Sequence, residues 1–166
     1  IMRLQKLFTA LLALTMILTS AELTSEARRK KDNKAKYIFL FIGDGMGMGQ
    51  VTLADSYLSY KAGELGGEQL AFSKFPYLAL CNTYSANRNI TCSAAGGTAI
   101  ACGEKTNNEH IGVNPEGKPL ESIAYVLHDK GYNVGIMTTV PVNHATPAAF
   151  YGHNSSRYGY YDISRE

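Results

Sequence analysis

A chain of 166 residues, 45% hydrophobic and 18% charged, can bury a core of its own and belongs among globular proteins. Its formal net charge of +2 hides an uneven distribution. Residues 1–36 hold eight Lys/Arg against three acids, and residues 37–166 hold eight against eleven. The part expected to fold is therefore acidic, which excludes a basic nucleic-acid face.

Met2-Arg3-Leu4-Gln5-Lys6 is a short basic start, and residues 7–18 are almost unbroken apolar sequence ahead of Thr19-Ser20-Ala21. That pattern predicts a signal peptide over residues 1–21, cleaved after Ala21, and hence a periplasmic or secreted protein with no stable membrane span after cleavage. A retained anchor is the alternative. Ile1 ahead of the initiator-like Met2 suggests a partial gene product. Arg28-Arg29-Lys30-Lys31 marks residues 22–36 as a solvated basic linker. Three cysteines, Cys81, Cys92 and Cys102, leave one without an internal partner in an oxidising compartment, unless more chain follows. No pair has CxxC spacing, which argues against a cysteine zinc site.

Residues 37–42, all apolar and closed by Gly43, read as a strand buried on both faces. Residues 50–61 predict a helix ending near Gly63, and residues 77–83 a second strand. Pro119 suits a first helical turn, with Leu120, Ile123, Ala124 and Leu127 on one face as far as Gly131. Residues 134–140 make a third buried strand. Strands alternating with helices predict an α/β domain over residues 37–166 with a parallel sheet. In such sheets sites lie where strands lead into helices. Three polar clusters fall there: Gly43-Asp44-Gly45, Cys92-Ser93, and residues 143–146.

GDGMGMG at 43–49 fails as a dinucleotide loop, because Met48, Gln50 and Thr52 occupy the places a third glycine would need. A carboxylate there suits a divalent cation, with glycines admitting the backbone closely. Locally, a simple helix-capping aspartate is an equal alternative. The second cluster, ITCSAAGGTAIACGEKT at 90–106, fails every cysteine template. Thr98 stands where a cysteine phosphatase has Arg, and Gly96 where a sulfatase-type cysteine has one. Glu104 interrupts a Walker loop, and Thr91 and Ala95 replace the glycines of a nucleophile elbow. Ser93 fits better, at a helix N-terminus whose free N–H groups favour an oxyanion, although a plain N-cap serine explains the local sequence too. In VNHATPAAFYGHNSSR, residues 142–157, His144 and Thr146 are expected in the loop before a helix, within reach of a metal. Arg157 suits a bidentate phosphate clamp. His110, His128 and His153 are assigned surface or core-satisfied roles.

Together IGDGMG (42–47), SAAGGTAIACGEKT (93–106) and VNHATPAAFYGHNSSR resemble the alkaline phosphatase family, in order and spacing, over residues 36–162. The resemblance implies an α/β fold with a largely parallel central sheet and helices on both faces, incomplete in this chain. It implies two Zn²⁺ and one Mg²⁺, with Asp44 joining a zinc to the magnesium site and His144 and Thr146 beside the magnesium. Ser93 matches the metal-bound nucleophile that becomes phosphoserine, and Arg157 the arginine that holds phosphate oxygens. Small phosphate monoesters are the implied substrates, and a homodimer the implied full-length assembly. Two departures stand out: Cys92 replaces the aspartate usual before the serine, and the chain stops at Glu166, ahead of the family's downstream zinc ligands. The isolated piece is expected to be inactive. Phosphodiester or phosphonate hydrolysis on the same scaffold, and an inactive metal-binding envelope protein, are the competing readings.

Overall fold

The computed structural model describes residues 35–166, so the expected signal peptide and all but the last two residues of the expected linker lie outside the described residues. The chain divides after Ile42, so that residues 35–42 are the described part of a first unit and Gly43–Glu166 form a second. In the first, residues 35–42 form neither helix nor paired strand. Phe39 and Phe41 are 78% and 87% exposed, against the expected burial on both faces.

The second unit is helical. Helix α1 (Met48–Ala62) begins at Gly47, whose N–H donates to the Gln50 side chain at 2.9 Å, so the glutamine supplies the cap that glycine lacks. It ends at Gly63, which takes the left-handed φ of +79° that an L side chain resists. A 3₁₀ turn follows at Ala71–Lys74. Helix α2 (Ser93–Cys102) carries two glycines that would weaken an isolated helix by about 1 kcal/mol each. Packing overrides that propensity: Ala94, Ala95, Gly97, Thr98 and Ala101 are all buried. Helix α3 (Ile123–Asp129) starts after Ser122 rather than at Pro119, which instead faces Val113 in an isolated antiparallel bridge. Helices α4 (Ala145–Ala148) and α5 (Tyr160–Ile163) are single turns.

The core is built of methyl groups. Ala94, Ala101, Ile111, Ala145, Ala148, Ala149 and Ile163 form it, with Cys92, Cys102, Phe150 and Tyr151 packed on its edge. Helix α2 lies against α4 and, less extensively, α3. The approach is close because Gly97 has no side chain. A Cβ there would stand 3.2 Å from Ala149 Cβ and 3.3 Å from Thr146 Cα. This contact brings the Ser93 helix against the Thr146 turn.

The expected strands at 77–83 and 134–140 form no ladder among the described residues, where pairing is limited to two isolated bridges, Ile111 with Asn154 and Val113 with Pro119. Tyr77, Leu78, Leu80 and Met137 are more than nine-tenths exposed. An apolar run acquires strand structure only when neighbours satisfy its backbone, and none of the described segments does so here.

Candidate active site

Asp44 sits in a tight turn closed by the Met46 N–H on the Gly43 carbonyl at 3.2 Å, with Gly45 at φ +65°. Helix α1 is capped by Gly47, so the Asp44 carboxylate is not used as its cap. Both oxygens reach other elements. Ser93 Oγ donates to Oδ1 at 3.1 Å, and Thr146 Oγ1 donates to Oδ2 at 2.9 Å. The helix-capping reading of Asp44 does not hold, because its carboxylate accepts from hydroxyls in distant parts of the chain.

Ser93 is the first residue of α2, and the N-cap is Cys92, whose carbonyl accepts the Gly96 N–H at 2.9 Å. The Cys92 N–H donates to Asn108 Oδ1 and the Glu109 N–H donates to Cys92 Sγ, each at 3.1 Å. Burial pushes the Cys92 thiol up. The N–H groups of Ala95, Glu109 and Ala94 and the positive charge of Arg157 outweigh burial and hold it below its ordinary value. All three cysteines are free thiols.

His144 is the N-cap of α4, its carbonyl accepting the Ala148 N–H at 3.0 Å, and its imidazole makes no hydrogen bond to a described residue. Thr146 lies in the first turn of that helix rather than in the loop before it, because the extended backbone at His144 ends the loop one residue earlier than expected. Arg157 is carried by a turn fixed at Asn154. The Asn154 backbone exchanges two bonds with Ile111, at 2.8 and 2.9 Å, while its Oδ1 accepts the Ser156 N–H at 2.9 Å. Arg157 has no carboxylate partner among the described residues, and its charge reaches Cys92 at the head of the Ser93 helix.

The alkaline phosphatase family model matches residues 35–166. The chain belongs to the alkaline phosphatase family. It is 40% identical to alkaline phosphatase of Gadus morhua over 141 residues, which cover 78% of this chain and 30% of that protein. With the human tissue-nonspecific isozyme it shares 38% over 150 residues, 82% of this chain and 28% of that one. The chain thus spans about a third or less of the curated relatives it matches. The cold-active alkaline phosphatase of a Shewanella species superposes with a TM-score of 0.66 at 38% identity, covering 74% of this chain and 31% of that one. For the enzyme of the Antarctic bacterium TAB5 the values are 0.64 and 30%, covering 74% and 34%. A TAB5 variant with aspartate in place of a histidine is described with magnesium bound in its M3 site, at a TM-score of 0.57 and 31% identity, covering 66% of this chain and 31% of that one. These neighbours give the chain an alkaline-phosphatase-like α/β fold.

Against that family, the donor set divides. Asp44, Ser93 and Thr146 supply only oxygens, the chemistry of a hard cation such as magnesium. No cluster of three His, Cys, Asp or Glu occurs among the described residues, so they do not assemble a zinc cage by themselves. Two of the remaining histidines are held by the fold. His110 Nδ1 lies 3.1 Å from the Asn114 carbonyl, and His153 bridges Glu166 and the Leu120 carbonyl at 3.0 Å each. His128 is exposed in α3. Sequence reasoning missed Asn108 and Glu109, which no motif marks. Glu109 takes φ +77°, alone among the described non-glycine residues in being positive, and only the fold reveals it.

Proposed function

We propose that this chain is part of a phosphomonoester hydrolase acting outside the cytoplasm through a phosphoserine on Ser93. The observation that carries the proposal is the Asp44 carboxylate, which draws the hydroxyls of Ser93 and Thr146 to one point at the N-terminus of a helix. A serine hydroxyl is a weak nucleophile unless its proton is drawn away, and Asp44 is the carboxylate in contact with it. Ser93 Oγ passes its proton to Asp44 and forms a bond to phosphorus as the bond from phosphorus to the ester oxygen breaks, and the departing alkoxide takes a proton from water, leaving hydroxide. Free N–H groups at the start of α2 face the developing negative charge. Arg157, free of carboxylate partners among the described residues, holds phosphate oxygens in a bidentate pair. That hydroxide then bonds to phosphorus as the bond from phosphorus to Ser93 Oγ breaks, and Oγ regains its proton from Asp44.

Two zinc ions and one magnesium, the latter on Asp44, Thr146 and His144 and one zinc sharing Asp44 and Ser93, would supply Lewis-acid activation of the hydroxyl and of water. The TAB5 variant with magnesium in its M3 site supports a magnesium position in such a fold. The remaining zinc ligands belong to a longer protein, in which residues 77–83 and 134–140 are strands of a parallel sheet and two copies form a homodimer. The piece alone is inactive. Among the described residues no helix is long and apolar enough to cross a membrane.

Incubating the full-length metal-loaded protein with labelled phosphate monoester at acid pH, then mapping peptides, should place the label on Ser93. Label on Cys92, or full activity in Ser93→Ala, sinks the reading.

A further inference from the structure

We propose that Asn108 is a positioning residue for the Ser93 hydroxyl, an inference that rests on Ser93 as the nucleophile. Its carboxamide spans the chain immediately before the helix. Oδ1 accepts the Cys92 N–H at 3.1 Å and Nδ2 donates to the Ile90 carbonyl at 3.0 Å. One acceptor and one donor are used in their proper senses, an arrangement that a neutral amide makes and a carboxylate cannot. Asn108 is itself held from behind, because its N–H donates to Asn87 Oδ1 at 2.9 Å, and that oxygen also accepts the Ser85 hydroxyl at 3.2 Å.

The neighbouring residue completes the grip. The left-handed backbone of Glu109, φ +77°, accompanies an N–H that donates to Cys92 Sγ at 3.1 Å. Cys92 is therefore fixed at its N–H by Asn108, at its sulfur by Glu109 and at its carbonyl by the Gly96 N–H. The next peptide leads directly into Ser93, whose Oγ reaches Asp44 at 3.1 Å. Asn108 bonds to none of Asp44, Thr146 or Arg157. It therefore acts on the hydroxyl through Cys92 and makes no bond of its own to the phosphate clamp.

The variants are Asn108→Asp, nearly isosteric but unable to donate to Ile90, and Asn108→Ala, which removes both bonds. In the full-length metal-loaded protein, both should slow phosphoserine formation about 10- to 100-fold, the penalty of an ångström-scale misplacement of a reacting group, while the inhibition constant for inorganic phosphate changes by less than about two-fold. A merely structural role would move both quantities together. In the unsubstituted protein, hydrogen exchange resolved to single residues should find the Cys92 amide protected. Labelling at the unsubstituted rate, parallel loss of labelling and phosphate binding, or free exchange at the Cys92 amide each overturns the assignment to Asn108. Absence of label from Ser93 in the unsubstituted protein overturns the functional reading itself, and with it this inference. Label on Ser93 with unaffected variants overturns only the role of Asn108.

Discussion

Thr146 Oγ1 donates to Asp44 Oδ2 at 2.9 Å across 102 residues of sequence. That bond depends on how closely α4 can approach α2. The approach is fixed at Gly97, where an added methyl would meet Ala149 Cβ at 3.2 Å and Thr146 Cα at 3.3 Å. Gly97→Ala is therefore expected to destabilise the full-length protein by about 1–3 kcal/mol through overpacking, despite the better helix propensity of alanine. It should also weaken magnesium binding as Thr146 is displaced. Thermal melting and a magnesium titration check both effects, and an unchanged melting temperature would show that the two helices yield without strain.

Cys92→Asp should tighten the binding of inorganic phosphate. Arg157 has no carboxylate partner among the described residues, although its charge reaches Cys92. A carboxylate at residue 92 would hold the guanidinium in place, and ordering one such side chain beforehand is worth roughly 0.5–1.5 kcal/mol of binding. The same carboxylate would cap α2 through its N–H groups. Inhibition constants for phosphate in the two proteins decide the matter; equal constants would mean that Arg157 is oriented by another partner.

His144→Asp should make magnesium bind more tightly. In the proposed site Asp44 already accepts from Ser93 and Thr146, and an aspartate at residue 144 would add a second hard anionic ligand. Imidazole is the softer donor and favours zinc. After metal removal and zinc reconstitution, the unsubstituted full-length protein should need added magnesium for full activity, and the variant should need less. Retention of stoichiometric magnesium by the unsubstituted protein through dialysis would defeat the argument.

Cys102→Ala should flatten the loss of stability at alkaline pH. Burial, and then the Glu104 carboxylate, push the Cys102 thiol above its ordinary value of 9.0. The folded protein thus keeps a proton that the unfolded chain releases first. Stability from this group is complete below the unfolded value and is lost as pH rises through the folded one. Urea midpoints measured from about pH 8 to 10.5 should fall more steeply with pH for the unsubstituted protein than for the variant. Parallel curves would show that Cys102 does not contribute.

The legibility of this chain follows how local each signal is. Gly63 ends α1 where expected, because a left-handed C-cap is written in one residue. Pro119 misled, since its fixed φ suits an extended bridge to Val113 as well as a first helical turn. Residues 37–42, 77–83 and 134–140 have the apolar character of buried strands, but pairing is a property of neighbours and does not reside in the segment. The helix start at Ser93 was readable from the small residues that follow it. That Asp44 and Ser93 touch, and that Asn108 binds the Cys92 amide next to Ser93, is long-range geometry that residue type does not encode.

Gly112 and Gly152 behave as one locus. A Cβ on Gly112, whose φ is +57°, would lie 2.0 Å from the Gly152 carbonyl oxygen, and that oxygen belongs to the backbone, which no choice of side chain can move. The two flank the Ile111–Asn154 bridge from which the Arg157 turn hangs. A substitution at Gly112 therefore has no single-site suppressor at Gly152. Libraries built to vary this region should return Gly112 unchanged whatever the selection.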